Sequence, residues 1–473
     1  MKLLAPLLAA ASALALSGCM VGPDYVSPTP KAPAQTPFVE ANSPAFIPAE
    51  PPADWWKLFD APILDRLVSE ALAANTDLRV AQANLKQARA ALSESRAARL
   101  PGTTIGASGT YGQTSGSTLG LNGAGPRGEN YDLGIDVGYQ IDLFGGIARG
   151  IQASRADLEA VQGAYDLTRV TVVAETIRAY AEACGVGGQL KVARDSLAIQ
   201  EQTFDLTRRL FEGGRGTALD TSRASSLLEQ TRANVPRLEA AKKAALYRLA
   251  MLTGKPPADF PAEVAACETP PITTQAIPVG DGATLLARRP DVRAAERRLA
   301  AATARVGVAT AELYPSVRLG GSIGSTAGSI GDLFSNKGFR FGIGPLISWT
   351  FPNTAVARSH IAQAEAGAEG ALAQFDGTWL NALRETETAL ARYAAEGERV
   401  ATLRRARDAS AEAARIARLR YQNGAESFQI VLDAERSLAD TTALLAQSEA
   451  QLADLTVTLF LSLGGGWTEG ARA

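Results

Sequence analysis

The chain has 473 residues and a nearly balanced charge, with 47 lysines and arginines, 49 aspartates and glutamates, and a net charge of −2. That balance argues against the polycationic surface of nucleic-acid-binding proteins, so we predict no nucleic-acid partner. A single histidine and three cysteines argue against a metal site and against a histidine-dependent catalytic triad. We therefore predict a protein that is not an enzyme and needs no cofactor.

The N-terminus carries a targeting segment. Lys2 supplies the positive charge, residues 3–16 are almost entirely apolar, and small residues precede Cys19. We predict a signal peptide over residues 1–18, with an ordinary signal followed by a chance cysteine as the alternative. The ending resembles the bacterial lipobox, which implies cleavage before Cys19 and acylation of its thiol. Because Met20 follows, the same resemblance implies sorting to the outer membrane.

Beyond this segment the chain is organised as two similar halves. Residues 19–60 are rich in proline and alanine, and we expect an extended segment that wraps a folded body. No later run of about twenty apolar residues occurs, so no membrane-spanning helix is predicted. Residues 61–270 then read as helix, two strands, long helix, turn and helix. The same order returns over residues 271–473, offset by about 210, which predicts two structural repeats.

The helical stretches are rich in alanine, which favours close packing in long coiled-coil hairpins. In the first stretch, Thr76 or Asp77 could cap the second of two helices. We expect the long helix after the first strand pair to break or bend at Gly185–Gly188. Cys184 and Cys267 could form a disulfide in an oxidising compartment, but their sequence contexts give that pairing no geometric support.

Four segments alternate between apolar and polar residues with the period of a β-strand. In the second of them every odd position is apolar or aromatic, and every even position is small or polar. It is long enough to cross a bilayer with its apolar face toward lipid, although a sandwich strand with one wet face is the alternative. Pro345 interrupts the fourth segment. The predicted strands are Thr103–Gly112, Tyr131–Leu143, Val317–Ser325 and Phe339–Trp349.

The number of strands has a consequence for assembly. Four strands are too few to close a membrane barrel, because the smallest closed barrels have about eight. An open sheet edge in lipid would leave backbone groups without hydrogen-bond partners. If these strands cross a membrane, several chains must therefore build one barrel together, and we predict an obligate oligomer.

Sequence motifs are spread along nearly all of the mature chain. They are Cys19–Tyr25, Trp55–Phe59, Ile141–Gly145, Arg288–Glu296, Tyr421–Gly424 and Val431–Leu438. In this order they resemble those of the TolC-type outer-membrane efflux factors, specifically the lipidated NodT branch. The resemblance implies an α+β membrane protein that forms a homotrimer. Its twelve strands would close a β-barrel, continued by a periplasmic α-helical coiled-coil barrel.

The resemblance also implies a function. Such a trimer is the exit duct of a tripartite system that passes small molecules from the periplasm to the outside. Its partners would be a periplasmic adaptor, an inner-membrane transporter, commonly of the resistance–nodulation–division class, and outer-membrane lipid. A passive porin and a structural lipoprotein that spaces the envelope layers are the alternatives. Long coiled coils argue against the first, and amphipathic strands argue against the second.

The candidate site lies after the second helix turn. Gln429, Asp433 and Arg436 follow one another at i, i+4 and i+7, so they share one helix face. By resemblance this face closes the pore, with Asp433 and Arg436 as an acidic–basic pair and Gln429 at a position that is apolar in some relatives. The alternative is an ordinary solvated helix pair. In the first repeat, Asp220 either joins this network or caps its helix.

The two turns themselves are the remaining candidates. By analogy with the family, an adaptor would contact the residues at these turns, and their alternative role is simply to reverse the chain. The candidate contact residues are Gly213, Gly214, Thr217, Gly424 and Ser427.

Overall fold

The computed structural model describes residues 20–28, 37–115, 117, 120, 122–273 and 275–465. The predicted signal peptide and Cys19 lie outside the described residues. The helices are α1 (Ile63–Ala74), α2 (Thr76–Ala97), α3 (Gly146–Glu212), α4 (Ala218–Leu252), α5 (Ala262–Ala265), α6 (Gly282–Arg288), α7 (Pro290–Ala311), α8 (Ile330–Leu333), α9 (Ala355–Gln422) and α10 (Phe428–Ser462). The strands are β1 (Phe46–Ile47), β2 (Gly102–Gln113), β3 (Arg127–Ile141), β4 (Ile277–Pro278), β5 (Ser316–Ala327) and β6 (Phe339–Ser348). Among the described helices, none combines the length and the apolar composition needed to cross a bilayer.

One compact unit contains the four long strands and is called the strand unit below. It comprises residues 20–28, Leu85–Val161 and Ala294–Asp376. Its sheet is antiparallel throughout, in the order β2-β3-β5-β6. The four predicted strands are confirmed, each within a few residues of its expected ends. Pro345 lies in β6, an edge strand of the protomer, where a missing backbone N–H is tolerated.

The register of this sheet separates an apolar face from a polar one. Ile105, Ile135, Ile323 and Phe341 stand opposite one another across all four strands. All four are exposed, from 40 % for Ile135 to 76 % for Phe341, as residues that face lipid should be. On the other face Arg340 Nη2 donates to Asp132 at 2.8 Å across the sheet. The alternation predicted from the sequence is therefore present across the whole sheet.

The first described residues pack within this unit. Arg149, near the start of α3, is buried and donates to the backbone oxygens of Val21 and Gly22 at 3.1 and 3.2 Å. It also pairs with Asp24 at 2.8 Å. Tyr25 donates its hydroxyl proton to Glu296 of α7 at 2.8 Å. The segment that follows Cys19 is thus tied to helices from both repeats.

The second compact unit, called the helical unit below, holds the main hydrophobic core. It comprises residues 37–84, Gln162–Arg293 and 377–465. Trp55 is buried and stacks on Phe460 with the ring centroids 4.7 Å apart. Where α2 begins, Asn75 accepts hydrogen bonds from the backbone N–H groups of Asp77 and Leu78. Asn75 is therefore the cap of this helix, and the expectation that Thr76 or Asp77 caps it was wrong.

The expected break or bend at Gly185–Gly188 was wrong as to the break, because α3 runs unbroken for 67 residues. A bend there stays a prediction. These glycines instead let another segment come close. A methyl group on Gly187 would overlap the carbonyl oxygen of Cys267, and one on Gly185 would lie 2.7 Å from the β-carbon of Ala450. Cys267 is joined to Cys184 by a disulfide one turn away on α3.

Equivalent elements of the two halves have nearly equal lengths. α2 and α7 have 22 residues each, and β2 and β5 have 12 each. α3 and α9 have 67 and 68 residues, and α4 and α10 have 35 each. The two compact units do not coincide with the predicted halves, because each unit takes elements from both. The division at residue 270 stays a prediction.

Candidate functional site

Two helix turns of the same geometry close the helical hairpins. Gly214 ends the turn after α3, and Gly424 ends the turn after α9, with φ values of +73° and +71°. Each turn returns its backbone N–H groups to carbonyls of the last helical turn, as in Gly214 N to Phe211 O and Gly424 N to Tyr421 O, both 2.9 Å. A left-handed backbone favours glycine, which explains why one stands at both positions.

The helices that leave these turns start differently. Thr217 caps α4, since its hydroxyl accepts from the Asp220 N–H at 3.1 Å and donates to the Asp220 carboxylate at 2.7 Å. Ser427 precedes α10 and makes no side-chain capping bond. Gly213, Gly214, Thr217, Gly424 and Ser427 are all exposed, and Asp220 is half-buried. The N-cap of α4 is thus Thr217, and Asp220 supports it by accepting from the Thr217 hydroxyl. A role of Asp220 in a pore network stays a prediction.

Helix α10 presents the predicted polar face. Gln429, Asp433 and Arg436 are exposed, while the opposite side of the helix is buried. These three residues are called the gating face below. In the part of the chain that the structure describes, neither Asp433 nor Arg436 forms an ion pair within the protomer. Their charges are therefore left for solvent or for another subunit.

Gln429 has a partner that the sequence analysis missed. Arg223 of α4 donates to the Gln429 side-chain oxygen, with 3.4 Å between Nη1 and Oε1. The repeat offset of about 210 residues makes Arg223 the counterpart of Asp433, so the two repeats carry opposite charges at equivalent places. Aligning the repeats position by position would have identified Arg223.

The buried side of α10 is held by a small hydrophobic cluster. Members come from four helices: Phe204 of α3, Ala224 and Leu227 of α4, Ala417 of α9, and Phe428, Val431 and Leu432 of α10. Packing from three directions fixes the rotation of α10, because interiors at native density tolerate little displacement. The gating face on the opposite side is held at a defined orientation as a result.

Comparison with known proteins identifies the family. A family model described as "Outer membrane efflux protein" matches the chain twice, over residues 67–255 and 283–465. The chain belongs to this family. Nodulation protein T of Rhizobium leguminosarum bv. trifolii is 30 % identical over 469 residues, covering 97 % of both chains. The outer membrane protein OprJ of Pseudomonas aeruginosa is 31 % identical over 461 residues, covering 97 % of this chain and 95 % of OprJ.

Solved structures agree with that assignment. The outer-membrane channel OprN has a TM-score of 0.89 and 38 % identity, with 95 % of this chain and 100 % of that chain covered. The open-state MtrE channel of Neisseria gonorrhoeae has a TM-score of 0.82 and 25 % identity, with 96 % and 100 % covered. The predicted TolC-like α+β fold and the outer-membrane location are confirmed.

The predicted role is confirmed as well. The protein is an outer-membrane exit duct of an efflux system, and its relatives are efflux channel proteins. Several relatives are named as outer membrane proteins of efflux pumps, among them SepC of Pseudomonas putida, which is 28 % identical over 468 residues. The residues predicted for the gate and for adaptor contact are not tested by these comparisons.

Proposed function

We propose that the gating face of α10 narrows the periplasmic end of the trimeric duct. The observation that supports this is the exposure of Asp433 and Arg436 without an ion pair in their own protomer. Other acid–base pairs of the long helices are satisfied within the protomer, such as Arg404 with Glu449 and Arg415 with Glu412, both at 2.7 Å. An acid and a base without ion-pair partners on one helix face suit a surface at which a neighbouring subunit supplies the opposite charges.

Threefold symmetry would repeat each residue of this face around the axis. Three Asp433 carboxylates would repel one another unless three Arg436 side chains compensate them. Exposed ion pairs contribute about 0–1 kcal/mol each. Three such pairs make a latch of a few kcal/mol, which the differential binding of an adaptor can overcome. Gln429 links this network to Arg223 of the first repeat, and Asp220 of that repeat would extend it.

The strand unit would supply the membrane portion. β2 and β6 are the edges of this sheet, and no strand among the described residues pairs with their outer sides. Pairing β6 of one copy with β2 of the next would join three sheets into twelve strands and remove every edge from lipid. An acyl chain on Cys19 would add a tether beside this barrel, at about 0.8 kcal/mol per buried methylene.

The helix turns would be the docking points for the adaptor. Gly213, Gly214, Thr217, Gly424 and Ser427 are exposed at the ends of two hairpins with matching backbone geometry. The inner-membrane partner would be a transporter of the resistance–nodulation–division class. The duct itself would carry out no covalent chemistry and would need no cofactor.

Planar-bilayer conductance tests the gate. Wild-type trimers should conduct poorly, and an Asp433→Ala/Arg436→Ala variant should conduct freely. The matched control is Glu412→Ala/Arg415→Ala, which removes an exposed acid–base pair of α9 at the same i, i+3 spacing. The control should behave like the wild type. Free conduction by the wild type would favour a passive porin, and opening by the control would show that the effect is not specific to the gating face.

A further inference from the structure

A buried carboxylate lies directly behind the gating face. Glu435 is 4 % exposed, although it stands between the exposed residues Asp433 and Arg436 in the chain. It faces α3, where the Thr203 hydroxyl donates to Oε2 at 3.1 Å. The Gln200 side chain, 3 % exposed, also donates to it. α3 belongs to one helical hairpin and α10 to the other, so these polar groups connect the two.

Among the described residues, the opposite charge that pairs with this carboxylate does so only at long range. It belongs to Arg418 of α9, whose Nε lies 3.9 Å from Oε1 of Glu435, beyond hydrogen-bond distance. A buried ion without a closely bonded partner is costly, and a carboxyl in that position tends to become neutral instead. Consistent with this, burial raises the pKa of Glu435, although the bonds from Thr203 and Gln200 and the charge of Arg418 oppose the shift.

Charged residues of α3 near this site have partners of their own. On α3, Glu201 pairs with Arg232 at 3.2 Å and Asp205 with Arg209 at 2.8 Å. α4 contributes apolar residues to the neighbouring cluster. On α10 itself, Asp433 and Arg436 lie on the exposed side.

The same cluster contains an acceptor without a donor. Oε1 of Gln200 is buried and accepts no hydrogen bond from any residue that the structure describes. Leaving a buried acceptor unpaired costs about 1–3 kcal/mol. A protonated Glu435 has an O–H to donate, and Gln200 is already beside it. One proton would therefore remove two unfavourable features at once, the buried charge and the unpaired oxygen.

We propose that Glu435, Gln200 and Thr203 form a proton-dependent clasp between α3 and α10 that positions the gating face. The inference rests on the proposed gate and adds a means of regulating it. With Glu435 neutral, the clasp is complete and α10 is held in the position described here. With Glu435 charged, the contact weakens and α10 separates from α3 more readily.

The direction of the pH effect follows from the sign of the shift. A carboxyl with a raised pKa stabilises the packed arrangement when it is protonated, so the clasp is strongest at acidic pH. That stabilisation is lost as the pH rises through the raised pKa of the packed state. Wild-type conductance should accordingly be lowest in acid and rise toward neutral pH, while staying below that of the Asp433→Ala/Arg436→Ala variant at every pH. Each unit of difference in pKa between the clasped and separated states changes their ratio by about tenfold.

Conductance of trimers reconstituted at a series of pH values tests the clasp. Wild-type conductance should rise with pH, whereas Glu435→Gln, which keeps a neutral side chain, should stay low at every pH. The control Glu449→Gln removes a carboxylate from the same helix, one that is paired with Arg404, and should keep the wild-type profile. Thr203→Val removes a donor that favours the charged form, so its conductance should rise at higher pH than that of the wild type. A wild-type profile that persists in Glu435→Gln overturns the proposal.

A measurement independent of the channel separates the two proposals. Infrared difference spectroscopy detects the C=O stretch of a protonated carboxyl, which Glu435→Gln should abolish. If the Glu435 band titrates but the Asp433→Ala/Arg436→Ala variant does not conduct, the proposed gate is wrong and the proton site is retained. If the double variant conducts freely but the wild type shows no Glu435 band, the proposed clasp is wrong and the gate is retained. Native trimer mass and helical circular dichroism of each variant establish that it has folded.

Discussion

Replacing Gly187 by alanine should destabilise the helical unit, although this substitution in a helix interior normally stabilises by about 1 kcal/mol. The added methyl would overlap the carbonyl oxygen of Cys267, which belongs to the backbone and cannot rotate away. That oxygen is also held in place, because Cys267 is bonded to Cys184 and accepts from Lys242 at 3.2 Å. Overpacking of this kind costs about 1–3 kcal/mol, and a backbone neighbour favours the upper end. The net loss should be about 2 kcal/mol.

Native-state hydrogen exchange of residues 262–268 measures this effect directly. A loss of about 2 kcal/mol raises the opening equilibrium of that segment by roughly thirtyfold. Gly397→Ala is the matched control, because Gly397 lies inside α9 and an added methyl would meet none of the described residues within 4 Å. It should stabilise by about 1 kcal/mol. If both variants shift stability in the same direction by similar amounts, close approach is not the reason for the glycine at 187.

Two further outcomes follow from the described contacts. Thr217→Ala should lower the free energy of unfolding by about 1 kcal/mol, because it removes the helix cap bonded to Asp220. Ser427→Ala should change that free energy little, because the Ser427 side chain makes no capping bond. Equal losses in thermal unfolding of the two variants would contradict this. Burial and the bond to Glu296 raise the pKa of Tyr25 to about 12, so the stability contributed by its neutral form should be lost between pH 10 and about 12. Ultraviolet absorbance titration should show one tyrosine that ionises at higher pH than a free tyrosine, and the Tyr25→Phe variant should lack it.

Structural features that depend on residues close together in the chain could be predicted from sequence. The alternation in Tyr131–Leu143 required only neighbouring residues, and the sheet register reproduces it. The spacing of Gln429, Asp433 and Arg436 likewise placed them on one helix face. Duplication of the whole pattern then indicated the architecture, because equivalent elements reinforce each other.

Features that depend on contacts distant in sequence could not be predicted. Gly187 reads as a helix breaker until the position of Cys267 is known. Glu435 lies inside a recognised motif, yet its burial depends on Thr203, 232 residues away. Asn75 was missed for a more local reason. Thr76 and Asp77 are also residue types that cap helices, and only the backbone geometry selects among three adjacent candidates.

The attachment of the N-terminal segment has a consequence for the order of assembly. Arg149 of the first repeat holds Val21, and Glu296 of the second holds Tyr25, so the segment can dock only after both repeats have come together. Until then, a lipid on Cys19 would keep an incompletely folded chain on the membrane surface. Tethered chains meet at a much higher effective concentration than free ones. Encounter of the three subunits would thus become a search in two dimensions, and the docking of each N-terminus would mark a protomer ready to join.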